Sequence, residues 1–82
     1  MNKRHSYVLI EEQEYLVSTS FTFDRGWETM VFESNNGTVE SWEDLYVQWY
    51  DSTDEAMSGH AFVVKNLKEL LVWSLNKNNN KK

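Results

Sequence analysis

Apolar and polar residues alternate with a period of two through most of the first fifty positions, and the period then lengthens to that of a helix. Strict alternation marks a strand with one face in a core. It is clearest from Tyr15 to Phe23, where Tyr15, Val17, Thr19, Phe21 and Phe23 share one face and Leu16, Ser18, Ser20 and Thr22 the other. Ser6 to Ile10 forms a shorter first run, closed by the acidic turn Glu11-Glu12-Gln13-Glu14. Trp27 to Glu33 is a third, with Trp27, Thr29 and Val31 opposite Met30 and Phe32. Asp44 to Tyr50 is a fourth, with Leu45, Val47 and Trp49 alternating against Tyr46, Gln48 and Tyr50. Between the second and third runs, Asp24-Arg25-Gly26 predicts a tight hairpin with Gly26 at positive φ. Asn35-Asn36-Gly37 predicts the next turn, and a looser segment holding Trp42 follows it. Short connections favour an antiparallel meander.

From Ser52 the pattern is helical. Ser52-Thr53-Asp54-Glu55 fits a capping box, in which the serine hydroxyl accepts an early backbone N–H and Glu55 reaches back. Asp51, Asp54 and Glu55 suit the positive end of the helix dipole, with Lys65, Lys68 and Lys77 farther along. One helix is predicted to about Leu75. At about 100° per residue, Ala56, His60, Val63, Val64, Leu67, Leu70 and Leu71 share a broad face that must cover the sheet. Phe62 and Trp73 fall nearly opposite it, about three turns apart, with Glu55, Asn66 and Glu69 between or beside them. Large aromatics on the polar side of a helix are not what solubility requires. Either a loop, such as the one holding Trp42, folds over one ring, or Trp73 lies past a frayed end, or the rings form a partner-binding surface.

These elements give an α+β domain, an antiparallel meander of about four strands packed by one C-terminal helix. Residues 1–4 read as a frayed N-terminus, 5–75 as the domain, and 76–82 as a disordered polar tail. Eighty-two residues is close to the lower limit for a core that folds without staples. The chain has no cysteine, so it has neither disulfides nor thiolate metal sites. Four Trp, four Tyr and four Phe supply the compensating apolar bulk. Apolar runs of three or four residues are far short of a membrane span, and no apolar stretch of signal-sequence length follows Lys3-Arg4, so a cytoplasmic location is expected.

Charge narrows the function classes. The net charge is −5, but five of the eight basic residues lie at the two ends. Residues 5–76 hold only Arg25, Lys65 and Lys68 against thirteen acids, a net of −10. Such a body repels phosphate backbones and cannot form a basic track, so nucleic acid is not an expected partner. An acidic surface that imitates nucleic acid is the alternative.

Little chemistry is legible. His60 lies on the core face among valines and leucines, which favours a neutral, hydrogen-bonded imidazole over a catalytic base. Ser58, two residues away, points elsewhere on a helix. Gly59 costs helix propensity of about 1 kcal/mol, which suggests close approach to a strand, or to Trp49 or Tyr50. Asp51, Asp54 and Glu55 lack the spacing and central glycine of a calcium loop. The chain reads as a non-enzyme without metal or cofactor.

Glu28-Thr29-Met30-Val31-Phe32 and the run from Tyr50 through Ser52, Glu55 and Ala56 to Gly59-His60 resemble a group of small bacteriophage-encoded proteins of uncharacterised function. Val17-Ser18-Thr19 with Phe21 resembles the same group's second strand, and the similarity covers roughly residues 16–70. That group has an Asp-His step and a longer Gly-rich loop before the third strand. Here the place reads Phe23-Asp24-Arg25-Gly26-Trp27, without the histidine. The resemblance implies a phage origin, hence the host cytoplasm, and no particular activity. The expected role is that of an accessory protein binding a host or phage protein, including one of host defence, through Phe62, Trp73 and Glu69, with Trp42 as an addition. A homodimer through that face is the simplest variant, and a minor virion or assembly component is a further alternative.

Overall fold

The structure, a computed structural model, describes residues 3–79. It is α+β, an antiparallel sheet packed against C-terminal helices. The strands are β1 (Lys3–Ile10), β2 (Gln13–Thr22), β3 (Gly26–Asn35), β4 (Thr38–Val39) and β5 (Tyr46–Tyr50), followed by α1 (Thr53–Lys65) and α2 (Leu67–Asn79). The first three strands form the expected meander. Both β4 and β5 pair with the far edge of β3, at its Ser34–Asn35 end and along Trp27–Val31 respectively. Backbone bonds from Glu40 N to Glu33 O (2.9 Å) and from Leu45 N to Val31 O (2.8 Å) flank the gap. The two pieces therefore behave as one edge strand interrupted by the loop that carries Trp42.

Three turns set the register. Asn36 and Gly37 both have positive φ (52° and 83°), as a two-residue hairpin requires, and Gly26 has φ 76° where the second hairpin closes. The first turn is tighter than expected. Ile10 pairs with Gln13, leaving Glu11 and Glu12 as the two loop residues with φ of 49° and 75°. Left-handed backbone costs a residue with a Cβ roughly 1–2 kcal/mol, so this turn is strained.

The side-chain alternation is as expected. Thr19 and Thr29 are paired, bond each other through their hydroxyls, and meet His60 of α1, which puts the odd-numbered residues of β2 and β3 on the helix side. There Val17, Val31, Val63 and Leu67 are fully buried, with Val8, Ile10, Tyr46, Leu70 and Leu71 packed around them. Burying each such side chain contributes about 1.5–3 kcal/mol.

The helix begins as predicted. Ser52 Oγ accepts from Glu55 N (3.1 Å), and Glu55 Oε1 accepts from Asp51 N (3.1 Å). Gly59 lies against Tyr50, where an added Cβ would overlap the ring. A single helix to Leu75 is not what forms. Asn66 (φ −112°, ψ 22°) breaks it, and both its backbone N–H and its side-chain amide donate to Phe62 O. The amide shares the Phe62 carbonyl with the backbone N–H, and the Asn66 dihedrals leave the helical range, which ends α1 there. Leu70 N donates to Asn66 O at 3.0 Å, so α2 starts at once. It runs on through Asn79, which makes the beginning of the polar tail helical; residues 80–82 lie outside the described range. Ser74 Oγ donates to Leu45 O (2.8 Å) and fastens α2 to the start of β5.

Candidate protein-binding surface

The interior polar cluster comes first, because a catalytic site would have to be built on it. His60 is buried between α1 and the sheet. Its Nδ1 meets Thr19 Oγ1 at 2.7 Å and its Nε2 meets Ser6 Oγ at 2.8 Å. Burial above all, then the nearby positive charges of Arg4 and His5, holds the imidazole pKa below its ordinary value. A neutral ring with both nitrogens bonded is a satisfied core histidine. Ser6 and Thr19 were not singled out in the sequence as its partners. The available signal was a hydroxyl residue at three core-facing register positions, Ser6, Thr19 and Thr29, where the neighbours are valines.

The outer side of the helices is different in kind. Phe62 is 56% exposed and Trp73 53%, and Val72 and Leu75 are exposed as well. On α2, Glu69 and Trp73 come together with Lys68 and Val72 around a shallow open hollow. Lys68 also reaches Glu11 of the strained first turn (3.1 Å), so this surface adjoins the β1–β2 hairpin. Phe62 belongs to α1, beyond the Asn66 break, and does not line the hollow. Phe62 and Trp73 therefore stand on two helices that meet at Asn66, and the hollow is formed by α2 alone. The helical wheel sets Val72 about 100° from Trp73, at the margin of the outer face, and Leu75 about 40° from Leu71, beside the core face.

Trp42 is elsewhere. Its ring packs edge-on to Phe32, with centroids 5.2 Å apart. Phe32 is an even-numbered residue of β3, so it points to the side of the sheet away from the helices. Trp42 therefore neither covers Phe62 or Trp73 nor adds to their surface. It joins a second apolar region on the side of the sheet that no helix covers.

That side is arranged in rows by the register. Tyr7, Leu16 and Phe32 form one row, and Lys3, Ser20, Glu28 and Trp49 another. Leu16 and Phe32 are buried although no second layer covers them. The cover comes from aromatic side chains that lie down on the sheet. Tyr7 crosses to donate to Gly37 O (3.2 Å), and Trp42 leans on Phe32. Nearby, Glu14 Oε2 accepts from Ser34 Oγ (2.7 Å) and Gly37 N (2.9 Å). The Gly37 N–H first, and the Ser34 hydroxyl second, hold the Glu14 carboxyl pKa below its usual value.

No group of acidic and histidine side chains among the described residues is placed to hold a metal ion. No described helix is long and apolar enough to cross a membrane. Among known proteins, no family model, no curated sequence and no solved structure matches the chain.

Proposed function

We propose that the protein is a small protein-binding module, a phage accessory protein that modulates a host protein from the host cytoplasm and docks through the outer face of α2. The observation that supports this reading most is the exposed Trp73 beside Val72, with Lys68 and Glu69 at its border. An aromatic centre with a charged rim is where binding energy concentrates in protein interfaces. The satisfied burial of His60 favours a binding role over a catalytic one. The phage origin rests on the resemblance of the third strand and the helix start.

Affinity capture from host lysate, with mass spectrometry of what is retained, tests the reading. The wild-type chain should retain a specific protein that both Trp73→Ala and Glu69→Lys lose, while circular dichroism stays native. Retention should persist at moderate salt, since apolar contact is insensitive to screening. Retention that collapses with salt and ignores Trp73→Ala would instead favour an acidic nucleic-acid mimic.

A further inference from the structure

Glu28 is an anomaly on the side of the sheet away from the helices. It is only 6% exposed, and its Oε2 is buried with no hydrogen-bond partner among the described residues. A carboxylate out of water without a donor is unfavourable unless a cation or donor approaches it. Its immediate strand neighbours, Ser20 on β2 and Trp49 on β5, carry no positive charge. In the same row, two strands away, stands Lys3 on β1, which is exposed.

The geometry points to this open face as the interface of a homodimer, in which Lys3 of each copy approaches Glu28 of the other. Place a two-fold axis along β2, lying between two copies packed face to face. Then β2 lies over its own mate, and β1 of each copy lies over β3 of the other, with rows preserved. Lys3 faces Glu28, and the exposed Tyr7 of each copy faces the Trp42 ring that covers Phe32 of the other. The twist between packed sheets, about 30°, offsets the ends of the rows by a distance a lysine side chain spans. Two-fold self-complementarity of this sort is what an isologous interface needs.

Charge favours a second copy over a strongly basic partner. The strands' charged side chains on this face are Lys3 against Glu14 and Glu28, a formal net of −1 within a chain of net −5. Size is adequate too. At about 3.3 Å per residue and 4.8 Å per strand, the face measures roughly 25 by 19 Å. Two copies would then bury on the order of 1,000 Å² in total, near the lower end for a specific interface. The inference is independent of the α2 reading, since the helices lie on the other side of the sheet. A dimer joined in this way presents both α2 faces outward and engages a partner with two surfaces at once.

Sedimentation equilibrium across a range of concentrations tests it with the purified chain alone. The wild-type protein should reach twice its 9.8 kDa monomer mass. Glu28→Gln and Lys3→Glu should each weaken dimerisation roughly tenfold or more, and the swapped pair Lys3→Glu with Glu28→Lys should recover much of it. Glu28→Gln should leave the melting of the dilute monomer unchanged or raised, because Glu28 Oε2 has no hydrogen bond among the described residues to lose. If Glu28→Gln fails to fold, Lys3→Glu at the exposed edge position carries the test. A chain that remains monomeric at high concentration overturns the proposal. So does a dimer that is equally strong in the single variants.

Discussion

The two sides of the sheet are made by the same strands, yet each meets the requirement to exclude water differently. On the helix side, two helices lay down Val63 and Leu67 over Val17 and Val31, and a chain of hydrogen bonds runs from Ser6 through His60 to Thr19 and Thr29. On the other side there is no second layer. Tyr7 reaches across to Gly37 and Trp42 packs edge-on against Phe32, and Leu16 and Phe32 are buried beside them. The polar groups differ as well: His60 has partners at both nitrogens, whereas Glu28 has a buried oxygen with none. The helix side is therefore completely covered within one chain, though the Tyr50 hydroxyl beneath that cover, like Glu28 on the other side, has no hydrogen-bond partner among the described residues. The other side is covered only as far as single side chains reach, which is the state expected of a surface that meets another molecule.

Breaking the complete side should have the largest effect. His60→Leu keeps the volume and removes both acceptor–donor positions, leaving Ser6 and Thr19 short of a partner. It should cost about 2–3 kcal/mol, read from urea unfolding. The same residue sets a pH dependence. The unfolded imidazole takes a proton near its ordinary 6.5, while the folded one resists, so stability is full above that value and falls as pH drops below it. His60→Leu should flatten this part of the profile. A second decline, below about 4.5, comes from Glu14, whose folded pKa is also lowered, and should survive the substitution.

Gly59→Ala is the next test of the same side. The change favours the helix by about 1 kcal/mol intrinsically, yet the new methyl would overlap the Tyr50 ring. Net destabilisation of about 1–3 kcal/mol is expected. In a Tyr50→Ala background the sign should reverse, which thermal melts of the four proteins would show.

On the open side the effects should be smaller. Trp42→Ala uncovers Phe32 and should cost about 1 kcal/mol while leaving capture through α2 intact, since the ring is on the far side of the sheet. At the first hairpin, Glu12→Gly relieves a left-handed residue and should stabilise by about 0.5–1 kcal/mol, measured by the shift in urea midpoint.

Most of this architecture was legible because alternation and turn chemistry are local. Asn36-Gly37 and Gly26 are residues that positive φ selects, and Ser52 with Glu55 is a local cap. The strained turn was not legible in detail, since glutamates at 11 and 12 are poor residues for the conformation that β1–β2 pairing imposes on them. Nor was the break at Asn66, because apolar spacing continues through Leu67, Leu70 and Leu71 without a proline or glycine to mark it. The sequence therefore placed Phe62 and Trp73 on one helix, whereas they stand on α1 and α2. Alternation also assigns residues to a face without saying whether anything covers it. Trp42 was thus read as an addition to the helix surface, although it belongs to the opposite side.

Hydrogen–deuterium exchange of the chain, alone and with its captured partner, reads out the proposed docking on the outer face of α2. Added protection is expected within residues 67–75, centred on Val72 and Trp73, with little change in β1 or β3. Protection confined to the strands, with α2 exchanging as in the free chain, would contradict it.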